Sequence, residues 1–279
     1  MRPFSTRSGD VALAGESVGE GRQIVLLHGL TATRRYVVHG SRVLERRGLE
    51  VIAYDARGHG ESDPGRPGTY GYHDLLADLE AVLADRDGEA RPVLAGSSMG
   101  AHTLVAYALR RPERLAGIVV IGPSYAGALP DPERQRRWGE LADGLERAGV
   151  EGFLEAYERG LDPAWRDTLV RIARERLGAH RHPEAVAEAI REVSRSRPFA
   201  ALAELEALPV PALVVASRDD ADPGHPYAVA EAYAETLPDA RLVVEGEGES
   251  PLAWQGGRLS REIAAFCASE RVSERRPRR

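Results

Sequence analysis

Residues 96–100 read Gly96-Ser97-Ser98-Met99-Gly100, a serine held between two glycines at the spacing G-x-S-x-G. A pentapeptide is short, so its setting carries the weight. It directly follows an apolar run at 92–95 and directly precedes a helix-like stretch at 101–109. A serine on a sharp strand-to-helix turn projects its hydroxyl from the turn, and flanking glycines allow the backbone to bend without Cβ clashes. The start of the helix leaves N–H groups free to stabilise developing negative charge. The chemistry this arrangement serves is attack by the Ser98 hydroxyl on an acyl carbon.

A serine hydroxyl is a weak nucleophile until a base takes its proton, so the histidines matter next. The chain has eight, and none follows His225. His225 lies in Asp222-Pro223-Gly224-His225-Pro226, just after the acidic cluster Asp219, Asp220 and Asp222. His102 is nearer to Ser98 in sequence, but it falls on the helix after the turn and is expected to point away. His180 and His182 lack carboxylates at metal-ligand spacing, and a structural role is expected for them. The chain carries neither G-x-x-x-x-G-K-S/T nor H-E-x-x-H, so no metal or cofactor is expected. The single cysteine, Cys267, falls in a helix-like segment, where core packing is expected of it.

These residues need a scaffold, and the periodicity supplies one. Two alternating stretches at 2–6 and 11–17 flank Ser8-Gly9-Asp10 and predict a hairpin. Continuous apolar runs at 23–27, 50–54, 92–95, 115–121, 211–216 and 240–245 predict strands, several buried on both faces. Helical patterns through about 49 and at 72–84, 101–109, 227–236 and 259–268 separate them. That alternation predicts an α/β fold, a mostly parallel sheet with helices on both faces. Between 131 and 197 only amphipathic helical stretches occur, at 141–148, 153–159, 165–177 and 183–193. Helices interrupting a parallel sheet predict an inserted cap. The expected organisation is a core of 1–125 and 199–270, a helical cap at 126–198, and a disordered basic tail at 271–279.

With the turn at Ser98 placed, the chain resembles the α/β-hydrolase superfamily over nearly its whole length. His28-Gly29 after an apolar strand matches the H-G that opens that family's oxyanion-hole loop. Asp55-Ala56-Arg57-Gly58-His59-Gly60-Glu61-Ser62 matches its D-x-R-G-x-G-x-S loop. The resemblance implies that the backbone N–H groups of Leu30 and Met99 hold the oxyanion, and that His28 and His59 are structural. It places the acid after the strand that Pro211 opens, at Asp220, with Asp219 and Asp222 as neighbours able to take the role. It also places the catalytic histidine in a G-x-G-H-x-P-like stretch. Here the chain reads Gly246-Glu247-Gly248-Glu249-Ser250-Pro251, with Glu249 at the histidine position. Three outcomes stay open: His225 is the base, with His102 the lesser candidate; a buried Glu249 of raised pKa is the base; or the site does no acyl chemistry. Trp254 is expected to pack near the site mouth.

The composition limits the partners. Net charge is −6 over 279 residues and the acidic surplus is spread out, which argues against nucleic acid as the main partner. No apolar run approaches membrane-spanning length, and no secretory apolar region opens the chain, so a cytoplasmic location is expected. The expected activity is hydrolysis of an ester-like or related acyl bond in a small molecule. A non-hydrolytic binding protein and a cofactor-free lyase on the same fold are the rivals. Ser98 at the turn argues against relatives with an aspartate nucleophile.

Overall fold

The computed structural model describes residues 1–86, 91–217, 222–245 and 254–273. The chain opens with an antiparallel hairpin, β1 (Arg2–Ser8) and β2 (Val11–Val18), turning through Gly9 and Asp10. Then come β3 (Arg22–Leu27), the short α1 (Val43–Arg46), β4 (Leu49–Tyr54), α2 (Tyr72–Asp85), β5 (Val93–Ser97) and α3 (Met99–Arg110). After β6 (Gly117–Ile121) three helices follow without a strand: α4 (Pro132–Glu158), α5 (Arg166–Leu177) and α6 (Pro183–Val193). The sheet resumes with β7 (Ala212–Ala216), α7 (Tyr227–Thr236) and β8 (Ala240–Val244). It is followed by α8 (Gly256–Cys267) and α9 (Glu270–Ser273).

The eight strands form one sheet in the order β1-β2-β4-β3-β5-β6-β7-β8. From β4 to β8 all neighbours are parallel; β2 joins β4 antiparallel. Side chains alternate between faces along each strand. Thus Val25 and Leu27 of β3, Leu94 of β5 and Val214 of β7 enter one apolar cluster with α2, α3 and α7. Ile24, Leu26, Val93, Ala95 and Leu213 enter the opposite cluster, with α8. Apolar residues fill both faces, which is why these strands read as unbroken hydrophobic runs.

The helical block from α4 to α6 has an apolar centre of its own, built from Leu141, Phe153, Ala173, Val186 and Ile190. The helical stretches expected at 141–148 and 153–159 both fall within α4, on either side of a break in helical geometry. The kink is at Ala148 and Gly149, and Gly149 has φ of 61°. A continuous helix before residue 49 is absent. Residues 31–42 instead hold a 3-10 turn at Arg34–Tyr36, and the helix α1 spans four residues. Thr31 and His39 there adopt positive φ, which a helix does not admit. The expected tail at 271 begins as helix: Val272 of α9 is buried, and its carbonyl accepts from the Arg22 guanidinium. Residues 274–279 lie outside the described residues.

Candidate active site

The turn between β5 and α3 carries Ser98 at φ 51° and ψ −114°. A non-glycine residue at positive φ is strained and persists only where its surroundings hold it. The Ser98 N–H donates to the Ile121 carbonyl at 3.0 Å, and the Ser98 carbonyl accepts from His102 N–H at 2.9 Å. The flanking glycines are sterically required. A Cβ on Gly96 would fall 2.5 Å from Gly100, and one on Gly100 would fall 2.2 Å from the Leu27 carbonyl oxygen. Gly29 packs beside the turn less tightly, with its ideal Cβ position 3.3 Å from the Ser97 carbonyl oxygen and 3.4 Å from Ser98 Cβ. Among the described residues the Ser98 hydroxyl makes no hydrogen bond, and it is partly exposed.

Two backbone donors lie beside it. Met99 opens α3, so its N–H has no partner within the helix. Leu30 is the second residue of a turn closed by Ala32 N–H on the Gly29 carbonyl at 3.1 Å, with Thr31 at φ 64°. The Leu30 side chain anchors this turn. It packs against Met99 and Val193, against Tyr70 and Ala185, and against the apolar centre of the helical block.

Three histidines brace the loops. His28 Nδ1–H donates to the Gly29 carbonyl at 2.8 Å, while its Nε2 accepts from Ala56 N–H at 2.9 Å. His180 Nε2–H donates to the Thr31 carbonyl at 3.0 Å, and its Nδ1 accepts from Gly60 N–H at 2.8 Å. Between them, His59 Nδ1–H donates to the Arg57 carbonyl at 2.9 Å. Each ring accepts from, or sits among, groups that suit a neutral imidazole. Burial lowers the pKa of His28, drives that of His59 well below the ordinary value, and lowers that of His180 to about 4. His180 joins this cluster from more than 100 residues along the chain, which no spacing rule reveals.

His102 is committed as well. Its Nε2 accepts from Ser124 N–H at 3.0 Å and Tyr125 N–H at 3.2 Å, so Nδ1 carries the proton and faces the Tyr72 hydroxyl at 2.9 Å. Burial, with His225 as a lesser contribution, lowers its pKa to about 3. With both nitrogens occupied, it has no lone pair for a serine proton.

His225 differs. Its Nδ1 lies 2.9 and 2.8 Å from the two Asp222 carboxylate oxygens, and among the described residues its Nε2 has no partner. The ring sits against Gly122, whose ideal Cβ position is 3.5 Å from His225 Cγ. Gly122 follows Ile121, the residue whose carbonyl receives Ser98 N–H. The histidine is therefore placed at the end of the strand next to the serine turn. Its loop is tied to the helical block, since Arg134 of α4 donates to the Gly224 carbonyl at 2.9 Å. Burial opposes ionisation of Asp222. The His225 charge and hydrogen bond, with Arg176, outweigh it and hold the carboxyl below its ordinary range.

The sequence reading favoured Asp220 as the acid; Asp219, Asp220 and Glu249 lie outside the described residues. The carboxylate that meets His225 is Asp222, one of its expected competitors. Trp254 is held by its indole N–H on the Ala216 carbonyl at 2.7 Å, at the end of β7, and packs on the cluster around α8. Arg176 was not singled out from the sequence, yet it turns inward near Asp222, Tyr157 and Tyr36. A charged residue in an amphipathic helix carries no signal of that orientation. Among the described residues, no group of three His, Cys, Asp or Glu side chains suits a metal ion, and no helix is long and apolar enough to cross a membrane.

The fold and this turn define an α/β hydrolase. Residues 20–221 match the family model described as serine aminopeptidase, S33, and the chain belongs to that α/β-hydrolase family. Among curated relatives, a putative carbamate hydrolase RutD from Caulobacter segnis is 32% identical over 207 residues, covering 72% of this chain and 74% of that one. The protein of the same name from Pseudomonas savastanoi pv. phaseolicola is 29% identical, covering 79% of this chain and 83% of that one. Among solved structures, a thermophilic esterase from Thermogutta terrifontis is 25% identical with a TM-score of 0.77. It covers 95% of this chain and 98% of that one.

Proposed function

We propose that this chain is a serine hydrolase for an ester-like or related acyl bond of a small molecule, with Ser98 as nucleophile, His225 as base and Asp222 as the orienting acid. One observation carries the reading: Asp222 grips Nδ1 of His225 through both oxygens and leaves Nε2 free, beside the strand end that holds Ser98. A carboxylate on Nδ1–H fixes the tautomer in which Nε2 has a lone pair, and it stabilises the imidazolium that forms. His28, His102 and His180 have both ring nitrogens engaged elsewhere, and the unpaired Nε2 of His59 is buried, its ring packed beside those of His28 and His180.

In this mechanism His225 Nε2 takes the Ser98 proton as Oγ bonds to the substrate carbonyl carbon. The carbonyl oxygen gains the negative charge, and the Leu30 and Met99 N–H groups receive it. The oxyanion collapses, the bond to the leaving group breaks, and His225 returns the proton to that group. A water then gives its proton to His225, adds to the acyl-enzyme and releases the acid and Ser98. Carbamates, named for the relatives, are within reach of the same chemistry.

Intact-mass labelling with a fluorophosphonate on wild type, Ser98→Ala and His225→Ala tests the reading. One adduct on wild type and loss of labelling in both variants is the expected result. A wild type that stays unlabelled where an ordinary serine esterase reacts refutes acyl-enzyme chemistry. Turnover that survives Ser98→Ala points to the lyase reading instead. Labelling kept by His225→Ala but lost by Glu249→Gln transfers the base to Glu249.

A further inference from the structure

We propose that Arg176 is an anion-recognition residue of this site, and that the substrate is an acyl compound bearing a carboxylate that Arg176 grips. The substrate class rests on the hydrolase reading above.

Arg176 lies in the last turn of α5; the residue is partly exposed, but its Nε is buried. Its surroundings come from three directions: Tyr157 of α4, Asp222 of the His225 loop, and Tyr36 of the loop after β3. It also acts electrostatically on His39 and on His180, whose Nε2–H holds the Leu30–Thr31 turn. The guanidinium is thus within electrostatic reach of both the loop of the proposed base and the histidine that holds the loop of the proposed oxyanion donor.

A guanidinium carries five donors in a rigid plane and stays charged, so burying it unpaired is costly. Two other inward arginines each hold a carboxylate. Arg57 meets Asp78 at 2.8 and 2.5 Å, and Arg34 meets Asp55 and Glu61. Arg176 is treated differently. Its Nε is fully buried without a hydrogen bond, and among the described residues its guanidinium makes no hydrogen bond or ion pair. Asp222 is close enough to be felt but has both oxygens on His225. The Tyr157 and Tyr36 hydroxyls are also without hydrogen-bond partners among the described residues. An unpaired fork within electrostatic reach of two phenols matches a planar carboxylate, which accepts in pairs from such a fork.

The rival role is a countercharge for Asp222. The two roles separate by substrate. A countercharge acts on His225 and alters all esters alike, whereas an anion subsite acts only on esters that carry the charge.

The experiment measures kcat/KM for mono-p-nitrophenyl succinate, glutarate and adipate, and for their neutral methyl p-nitrophenyl diesters. The readout is the anionic-over-neutral ratio, in which general damage to the site cancels. At the best chain length the wild type should prefer the anion, and Arg176→Gln should lower the ratio by about tenfold or more, chiefly through KM. Arg176→Lys should restore only part, because it keeps the charge but lacks the fork. A wild-type ratio near one at every chain length, or a ratio unchanged in Arg176→Gln, overturns the proposal and leaves the hydrolase reading standing. Absence of turnover of every ester counts against the hydrolase reading, and binding then decides about Arg176. Monomethyl glutarate and dimethyl glutarate are titrated into Ser98→Ala with and without Arg176→Gln. Tighter binding of the half-ester that is lost with Arg176 supports the anion site; equal binding of both, or none, overturns it.

Discussion

Gly100→Ala is the smallest change that should disable the site while leaving every polar side chain in place. The added methyl would stand 2.2 Å from the Leu27 carbonyl oxygen, 2.6 Å from Leu27 C and 2.7 Å from the His28 oxygen. Ordinary contact begins at 3.4 Å, and all three atoms are backbone of β3 or its continuation, so no side chain can swing aside. Relief requires α3 and the end of β3 to separate by about 1 Å, given how stiffly packed interiors resist overfilling. Met99 N–H rides on α3, and Leu30 N–H follows Leu27 by three residues. The two donors therefore move apart by a similar amount. Misplacement of about 1 Å typically lowers turnover by roughly 10²-fold. Overpacking typically costs about 1–3 kcal/mol, or a Tm lower by very roughly 2–12 °C for a chain of this size. The assay pairs kcat on p-nitrophenyl butyrate with thermal melting. Gly139→Ala is the control, because its Cβ meets nothing within 4 Å on α4, and it should keep activity and Tm or gain slightly. Gly100→Ala with wild-type Tm and kcat would refute the packed turn and the oxyanion geometry built on it.

Three further outcomes are expected. Asp222→Asn should lower kcat by about 10³–10⁴-fold, since an amide N–H₂ facing Nδ1 favours the wrong imidazole tautomer; Asp220→Asn should have the smaller effect, and the reverse order reassigns the acid. Asp78→Asn removes the countercharge of Arg57 in a pair where Asp78 is 0% and Arg57 6% exposed. It should cost about 3–5 kcal/mol, visible as a Tm lower by roughly 10 °C, whereas an unchanged Tm contradicts a buried pair. Stability should also fall as the pH drops from 7 to 5. His28, His59, His102 and His180 have folded-state pKa values depressed below the unfolded value. The unfolded chain therefore binds more protons in that window, and stability that is full above about 6.5 is lost towards the folded values. Each fully responding histidine contributes a slope of roughly 1 kcal/mol per pH unit. A urea midpoint that is flat from pH 7 to 5 would contradict the neutral, buried cluster.

The parallel strands were legible because each is covered on both faces. Runs such as Gln23-Ile24-Val25-Leu26-Leu27 have no amphipathic alternation to confuse them, and β3 spans Arg22–Leu27. The helices at Tyr227–Thr236 and Pro183–Val193 have the bounds their periodicity implies. The stretch before residue 49 misled for a physical reason. Its apolar residues Val37, Val38 and Leu44 are buried, but Val37 and Val38 lie in an irregular stretch and Leu44 in the four-residue α1, not on one continuous helix face. Spacing reports burial, and it cannot tell which backbone achieves it.

What the sequence by itself determined is whatever depends on neighbours in the chain. Gly96 requires no distant partner to mark the turn at Ser98, because the clash it avoids is with Gly100 and Ala101 of the same turn, whereas Gly100 avoids Leu27 and His28, which only the fold brings beside it. The alternation of buried strands and helices likewise defines the sheet. Tertiary structure alone decided the partners. His102 is next to the serine in sequence but is consumed by Ser124, Tyr125 and Tyr72. Among the described residues Asp222 grips His225, in a loop that closes with His225 N–H on the Asp222 carbonyl at 3.1 Å. Arg176 turns inward although its helix offers a solvent face. Hydrogen bonds and charge pairs act over about 3 Å, and only the folded chain brings such groups from remote segments to that distance.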